Sequence, residues 1–144
     1  MPVKIVAITA DHAGFEMKSL IKQELEASGY KVLDLGTDST QSVDYPDYGR
    51  KLADMVASGA VKCGIAICGT GIGISIAANR VAGVRAALCH DTLTAKLARQ
   101  HNDANILALG GRIIGIETAK DCVKTFLTTK FAGERHAARV AKLG

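Results

Sequence analysis

The sequence predicts an α/β fold, with a single domain built on a doubly wound, Rossmann-like sheet of five parallel strands flanked by helices. Short apolar runs, typical of buried parallel strands, alternate five times with amphipathic helical patterns. No composition break, internal repeat or low-complexity segment divides the 144 residues. A chain of this length fits one hydrophobic core. We therefore expect one domain over residues 1–144.

The strands are predicted from short apolar stretches that end in polar or glycine-containing turns. The predicted strands are 3–9, 31–35, 63–68, 84–88 and 105–109. The third should be central. Cys63 and Cys68 lie five positions apart on it, so their side chains should point to opposite faces of the sheet. They cannot form a disulfide within that strand.

The helices are predicted where apolar residues recur at spacings of three and four. The predicted helices are 15–27, 48–58, 74–78, 92–100, 117–129 and 132–143. The first ends before Gly29, a common helix stop. Residues 36–46 are polar and are expected to form a loop. The last helix is short and basic.

Composition and charge argue against a membrane-spanning, a secreted or a nucleic-acid-binding protein. The apolar fraction of 48% and the charged fraction of 22% are ordinary for a soluble globular domain. The sequence contains no run of about 18 apolar residues, so no transmembrane helix is expected. The N-terminus enters a strand pattern directly, which argues against a signal peptide and for a cytoplasmic protein. The net charge of +4 suits a small anionic substrate, whereas nucleic-acid binding is not indicated, because no aromatic residue lies in a basic stripe.

Cysteine and histidine spacing gives no support for a metal or redox site. The four cysteines, at positions 63, 68, 89 and 122, contain no C-x-x-C pair. Reduced thiols are the natural expectation in a cytoplasmic protein. No His/Asp/Glu cluster has ligand spacing, so we expect no metal, and no other cofactor is required.

The segment that indicates chemistry follows the central strand. Cys68 ends the strand, and glycines follow at 69, 71 and 73 before an apolar helical pattern resumes at Ile74. Unpaired amides and the positive end of the helix dipole favour an anion at such a turn. The same field favours the thiolate form of a cysteine. Cys68 is therefore a candidate catalytic thiol, provided that its sulfur faces a cavity.

Other polar segments should share this edge, because ligands bind at the carboxyl ends of parallel strands. The segments expected there are 11–12, 36–47, 68–73, 90–91 and 110–112. Arg135 and Arg139 stand four apart on the last helix, where two guanidinium groups on one face could grip a phosphate.

Established glycine-loop motifs match poorly. Position 74 is isoleucine, where a phosphatase thiol loop requires arginine, and positions 74 and 75 are not the Gly-Lys of a P-loop. The dinucleotide fingerprint lacks only its third glycine, and Asp91 lies near the place of its ribose-binding acid, so that alternative stays open.

Structural roles also stay open for single residues. Cys68 could be a small buried hydrophobe, while Asp11, Thr70 and His101 could be helix caps. Residues that are most often structural, solvated or surface-exposed when taken singly are Tyr45, His90, Asn102, Arg112, Arg135, His136 and Arg139.

Six motifs follow one another from the first strand to the last helix. They are Asp11-His12-Ala13-Gly14, Asp44-Tyr45-Pro46-Asp47, Cys68-Gly69-Thr70-Gly71-Ile72-Gly73, Ala77-Ala78-Asn79, Arg99-Gln100-His101-Asn102-Asp103 and Gly133-Glu134-Arg135-His136. Together, in this order, they resemble the ribose-5-phosphate isomerase B family. The resemblance implies interconversion of ribose 5-phosphate and ribulose 5-phosphate through an enediolate.

The resemblance also implies residue roles. Cys68 would be the base, because Ile74, Ser75 and Ile76 offer no carboxylate of the kind that some members use. His101, with Asp11, would open the sugar ring. Residues expected to hold the enediolate oxygens are Thr70 and the amides of 69–73, including Gly69, Gly71 and Gly73. Tyr45 and Asn102 would orient the sugar. The residues expected to bind its phosphate are His12, Arg112, Arg135 and Arg139.

Family members are homodimers or tetramers with sites assembled from two chains, so the helix at 132–143 is expected to contact a partner subunit. Two alternatives remain. One is an isomerase of a six-carbon sugar phosphate (allose or galactose 6-phosphate); the pair His101-Asn102 favours ribose only in that subunits of the galactose enzyme tend to lack it. The other is a non-catalytic module that binds a phosphosugar or nucleotide.

Overall fold

The computed structural model describes residues 4–144, which form five strands and six helices. The strands are β1 (Lys4–Ala10), β2 (Tyr30–Asp34), β3 (Gly64–Cys68), β4 (Ala86–Leu88) and β5 (Ile106–Gly110). The helices are α1 (Phe15–Ala27), α2 (Tyr45–Ala57), α3 (Ile72–Asn79), α4 (Thr92–Asn102), α5 (Ile116–Thr128) and α6 (Arg135–Ala141). Within residues 4–144, no helix has both the length and the apolar character needed to cross a bilayer.

The sheet is parallel throughout and has the strand order β2-β1-β3-β5-β4. The predicted fold class and the central position of the third strand are thus confirmed. The helix after β1 packs on one face of the sheet and the helix after β3 on the other. The carboxyl ends of these two neighbouring strands therefore border the crevice in which ligands of such sheets bind.

Two apolar clusters cover the two faces. On the first face, α1, α4 and α5 pack on the side chains of β1, β3 and β5 that point towards them, such as Ile8 and Ile67. On the second face, α2 and α3 pack on Ala66 and Ala108. Cys63 contacts the first cluster and Cys68 belongs to the second, so the prediction that they point to opposite faces is confirmed.

The predicted boundaries differ from the observed ones where local backbone geometry intervenes. Helix α2 begins at Tyr45, three positions before the predicted 48, because Pro46 fits the first helical turn. Helix α3 begins at Ile72, directly after the left-handed Gly71. Strand β4 begins at Ala86, two positions after the predicted 84, since the Arg85 amide donates to the side chain of Asn105. Val3, the predicted start of the first strand, lies outside the described residues.

The last helix is shorter than predicted, because the backbone cannot be helical immediately before it. Gly133 has φ 69° and Glu134 has φ 51°, both in the left-handed region. Helix α6 therefore covers only Arg135–Ala141. The Ala132 amide donates to the Gln100 carbonyl at 3.1 Å and so ties this segment to the end of α4.

Candidate active site

Cys68 lies where the sequence predicts it, at the carboxyl end of β3. Its sulfur accepts a hydrogen bond from the Gly71 amide at 3.1 Å. Its carbonyl accepts one from the Gly111 amide at 2.9 Å, which joins the turn after β3 to the turn after β5. One backbone amide therefore donates to the sulfur at the strand end, and a second fixes the backbone of the same residue.

The sulfur has little access to solvent in the single chain. Cys68 is 4% exposed, and the main clefts of residues 4–144 are lined by other residues. The predicted open cavity beside the sulfur is thus not evident in one chain. The positions next to it are more open, because Gly69 is half-buried and Thr70 is exposed.

Two glycines of the turn are required by close packing. Gly71 has φ 78°, and a Cβ there would lie 2.5 Å from Leu88 Cδ1 and 2.8 Å from the Leu109 carbonyl carbon. A Cβ on Gly73 would lie 2.6 Å from the ring of Tyr45. Tyr45 thus packs over the first turn of α3, with its side chain 41% exposed beside the candidate site.

Asp11 and His12 follow β1 at the same edge. Asp11 is buried, and its Oδ1 accepts hydrogen bonds from the amides of Ala13 (2.9 Å) and Gly14 (3.1 Å), so it serves as a cap of the turn. His12 Nδ1 accepts a hydrogen bond from the Val43 amide at 3.1 Å. This bond assigns the proton of the neutral ring to Nε2, which leaves a donor free for an anion.

Arg112 and Thr70 complete the carboxyl edge. The Arg112 amide donates to the Gly69 carbonyl at 2.9 Å, and its exposed guanidinium lies close to Gly69. Thr70 Oγ1 accepts a hydrogen bond from the Ile72 amide at 3.1 Å. The Thr70 hydroxyl proton stays available for donation to a ligand.

The remaining candidates lie at the opposite edge of the sheet. His101 and Asn102 end α4, close to Asn105. The Asn105 carbonyl accepts from the amide of Gly64, the first residue of β3, and the Asn105 amide donates to the carbonyl of Arg85, just before β4. A cleft of about 300 Å³ at this edge is lined by His101, Asn102, His136, Arg139, Val140 and Leu143. Arg135 is exposed at the start of α6.

The candidates therefore form two groups. The carboxyl edge carries Asp11, His12, Tyr45, Cys68, Gly69, Thr70, Gly71, Gly73 and Arg112, and the amino edge carries His101, Asn102, Arg135 and Arg139. The five residues of β3 separate the edges by about 15 Å. A helix that follows a parallel strand returns to the amino edge, so the position of His101 at the end of a helix was the signal for this separation.

His136, which the sequence suggests is either a surface residue or a neighbour of site residues, is the second of these. Its side chain is 9% exposed, and its ring stacks on that of His101, with the centroids 4.3 Å apart and the planes at 17°. Burial lowers the pKa of His136 below its ordinary value, and the charges of His101, Arg135 and Arg139 lower it further against the opposing effect of Glu134.

The pKa values of the other three cysteines are raised. Burial raises the pKa of Cys63 and of Cys89, and raises that of Cys122 to about 11 with the help of nearby negative charge. Those thiols stay protonated at neutral pH. Within residues 4–144, no group of three or more His, Cys, Asp or Glu side chains is placed to hold a metal ion.

Comparisons with known proteins agree with this architecture. A family described as Ribose/Galactose Isomerase matches residues 6–143. A Bacillus subtilis (strain 168) protein, named as a sugar phosphate isomerase with no sugar specified, is 50% identical over 139 residues, which cover 96% of this chain and 93% of that protein. Ribose-5-phosphate isomerase B of Escherichia coli (strain K12) is 48% identical over 138 residues, 96% of this chain and 93% of that one.

A solved structure of ribose-5-phosphate isomerase B from Clostridium thermocellum superposes with a TM-score of 0.96 at 52% identity, covering 97% of this chain and 95% of that chain. These similarities extend over nearly the whole described chain and favour an enzyme over a non-catalytic binding module. The chain therefore belongs to the ribose/galactose isomerase family, together with the ribose-5-phosphate isomerase B enzymes, and is an isomerase.

Proposed function

We propose that this isomerase interconverts D-ribose 5-phosphate and D-ribulose 5-phosphate through an enediolate, with Cys68 as the base. The observation that carries the proposal is the Cys68 sulfur at the carboxyl end of β3, within 3.1 Å of the Gly71 amide nitrogen. An amide that donates to sulfur stabilises the thiolate, which is the form that accepts a proton.

The reaction on the open-chain aldose is a proton transfer between neighbouring carbons. The Cys68 thiolate takes the proton from C2, a double bond forms between C1 and C2, and negative charge collects on O1. The Cys68 thiol then returns the proton to C1, while the O2 proton passes to O1. The Thr70 hydroxyl and those amides of 69–73 that do not already donate to Cys68 Sγ or Thr70 Oγ1 would stabilise the oxygen charge, since removal of one such donor typically costs about 3–4 kcal/mol.

Ring opening and phosphate binding would use the two edges together. We assign ring opening to His101 with Asp11, and sugar orientation to Tyr45 and Asn102. The phosphate would meet His12 Nε2 and the Arg112 guanidinium from one edge. Arg135 and Arg139 would approach it from the other.

A site with all these groups needs two copies of the chain, because the edges of one sheet lie about 15 Å apart. Helix α3 supports this arrangement, because it starts at the carboxyl edge and exposes Ile72 (51%) and Ile76 (54%) on successive turns. Its end, Asn79, shares a cleft with Asn102 at the amino edge. Two copies packed through antiparallel α3 helices would bring each carboxyl edge to the partner's amino edge and cover both isoleucines. We therefore propose a homodimer or a larger assembly of such dimers.

The four cysteines bear on the compartment in which the enzyme acts. Free thiols at all four cysteines fit a reducing compartment. We propose that the enzyme acts in the cytoplasm, on a phosphorylated sugar and with no cofactor.

The function is tested with a panel of sugar phosphates and the purified full chain. Ribose 5-phosphate, allose 6-phosphate and galactose 6-phosphate are each incubated with enzyme, and aldose–ketose conversion is followed by NMR. We expect kcat/KM for ribose 5-phosphate to exceed both six-carbon values by about tenfold or more, roughly 1.4 kcal/mol of discrimination. Faster conversion of a six-carbon sugar would establish the alternative, and binding of ribose 5-phosphate without turnover would refute the proposal.

A further inference from the structure

The stacked rings of His101 and His136 join two elements that are not neighbours in the sequence. His101 lies in the last turn of α4, and His136 lies in the first turn of α6. With the centroids 4.3 Å apart and the planes at 17°, the rings overlap almost face to face. A side chain stacked in this way loses most of its freedom to rotate, so His136 fixes the plane of the His101 ring.

Burial and nearby charges favour the neutral form of the His136 ring, because they lower its pKa. His136 faces His101 from α4, and Arg135, Arg139 and Glu134 from its own segment. Burial and the three cationic neighbours lower the pKa of His136, with Glu134 opposing. A neutral His136 ring can stack on His101 without charge repulsion between the two imidazoles.

The position of His136 also connects two parts of the proposed site. It directly follows Arg135 and precedes Arg139 by less than one helical turn, so the ring that supports His101 belongs to the helix that carries the phosphate-binding arginines. Any movement of α6 moves the His136 ring together with these two guanidinium groups.

We propose that His136 is a positioning residue, which holds the His101 imidazole by ring stacking in the orientation needed to open the sugar ring. The inference rests on the proposed function, since it assigns His136 to the reaction that His101 would perform. His136 itself makes no contact with the reacting atoms. It acts through His101.

The test compares two apolar replacements of similar burial, His136→Phe and His136→Leu. Phenylalanine keeps a neutral ring for stacking, whereas leucine fills the space without one. With ribose 5-phosphate, we expect His136→Leu to lower kcat about ten- to a hundredfold, the cost of a misaligned catalytic group. KM should stay within about twofold, and His136→Phe should keep kcat within about threefold of the wild type, because an aromatic partner restores the stack.

A second readout does not depend on activity. The ring-current shift of the His101 Cε1 proton in the NMR spectrum should persist in His136→Phe and disappear in His136→Leu. Equal kcat in the two variants, or a raised KM with unchanged kcat, would overturn the inference and assign His136 a purely structural role in α6. If the leucine variant fails to fold, an unchanged His101 shift in His136→Gln overturns it instead. Absence of turnover in the wild type would refute the proposed function, and is distinguished from these outcomes by the wild-type assay alone.

Discussion

Cys68 and His101 lie at opposite edges of one parallel sheet, Cys68 at the end of β3 and His101 at the end of α4. The separation follows from the direction of the chain, because each helix in such a fold runs antiparallel to the strand before it. If both residues serve one reaction, each must belong to a different copy of the chain. Variants at these two positions can therefore test whether the site is shared between two chains.

Mixed dimers test this arrangement. Cys68→Ala and His101→Ala should each be inactive alone, but a dimer with one chain of each kind contains one site with both residues intact. Random association of equal amounts should restore about a quarter of the wild-type activity, since half the dimers are mixed and each has one working site. The measurement is the activity of co-expressed chains that carry different tags. Dimers purified through both tags are all mixed and should have about half of the wild-type activity. Activity no higher than that of the single variants would contradict the shared site.

The role of Cys68 is tested against another cysteine of the same strand region. Cys68→Ala should lower kcat by about 10²–10⁴-fold, the usual contribution of a positioned base, with KM little changed. Cys63→Ala is the matched control, because Cys63 contacts the opposite apolar cluster and should leave kcat unaltered. Steady-state kinetics with ribose 5-phosphate measure both. Wild-type kcat in Cys68→Ala would remove the assigned base.

The phosphate-binding assignment predicts an effect on KM. Arg135→Ala and Arg139→Ala should each raise KM for ribose 5-phosphate about tenfold or more, because a hydrogen bond to a charged group contributes about 1.5–3 kcal/mol. Lys142→Ala removes an exposed cation just after the same helix and should change KM by less than about twofold. Equal effects of all three variants would point to general electrostatic attraction, and unchanged KM in both arginine variants would end the assignment.

The turn at Gly71 predicts a stability difference between two left-handed glycines. Gly71 and Gly59 have φ values of 78° and 80°, but of the two only Gly71 has atoms within 4 Å of the position that an added Cβ would take, namely those of Leu88 and Leu109. Gly59→Ala should cost about 1–2 kcal/mol, the backbone penalty alone. Gly71→Ala should lower the free energy of unfolding by clearly more than this, because the Leu109 backbone cannot move away from the added methyl group. Urea unfolding measures both, and equal losses would show that the turn relaxes around the added methyl group.

The ion pair between Lys18 and Asp34 predicts a pH dependence of stability. Lys18 is 2% exposed, and its Nζ lies 2.7 Å from Asp34 Oδ1. Partial burial tends to raise the pKa of Asp34, but the Lys18 and Gly36 hydrogen bonds and the charges of Lys18 and Lys22 outweigh it, so the pKa is lowered. This contribution to stability is complete above the unfolded-state pKa of 3.8 and is lost as the pH falls through the lower folded-state value.

Asp34→Asn should therefore lower the free energy of unfolding at pH 7 and flatten its decline below pH 4. Asp34→Ala should lower it further at pH 7, by about 3–5 kcal/mol, because the Lys18 ammonium stays buried without a partner. Lys22→Met is the control, since Lys22 lies 3.6 Å from Asp34 Oδ2 with 36% exposure and should contribute less than about 1 kcal/mol. An unchanged pH profile in Asp34→Asn would assign the acid sensitivity to other carboxylates.

Local patterns in the sequence determined the order of strands and helices, the parallel sheet and the placement of Cys68, Gly71 and Gly73 at a strand-to-helix turn. These features depend on side-chain periodicity and on glycine stereochemistry, which act over a few residues. Boundaries such as Tyr45 and Ala86 shifted because Pro46 and the Asn105 side chain compete with the periodic pattern.

Only the tertiary structure decided which distant segments lie side by side. The alternation of parallel strands and helices places His101, at the end of α4, at the amino edge and away from Cys68, but it does not show that α6 packs against that edge. The stack of His136 on His101 was equally hidden, because it joins residues 35 positions apart through the packing of α6 on the end of α4. Contacts between distant segments depend on how the whole chain packs, and no local pattern encodes them.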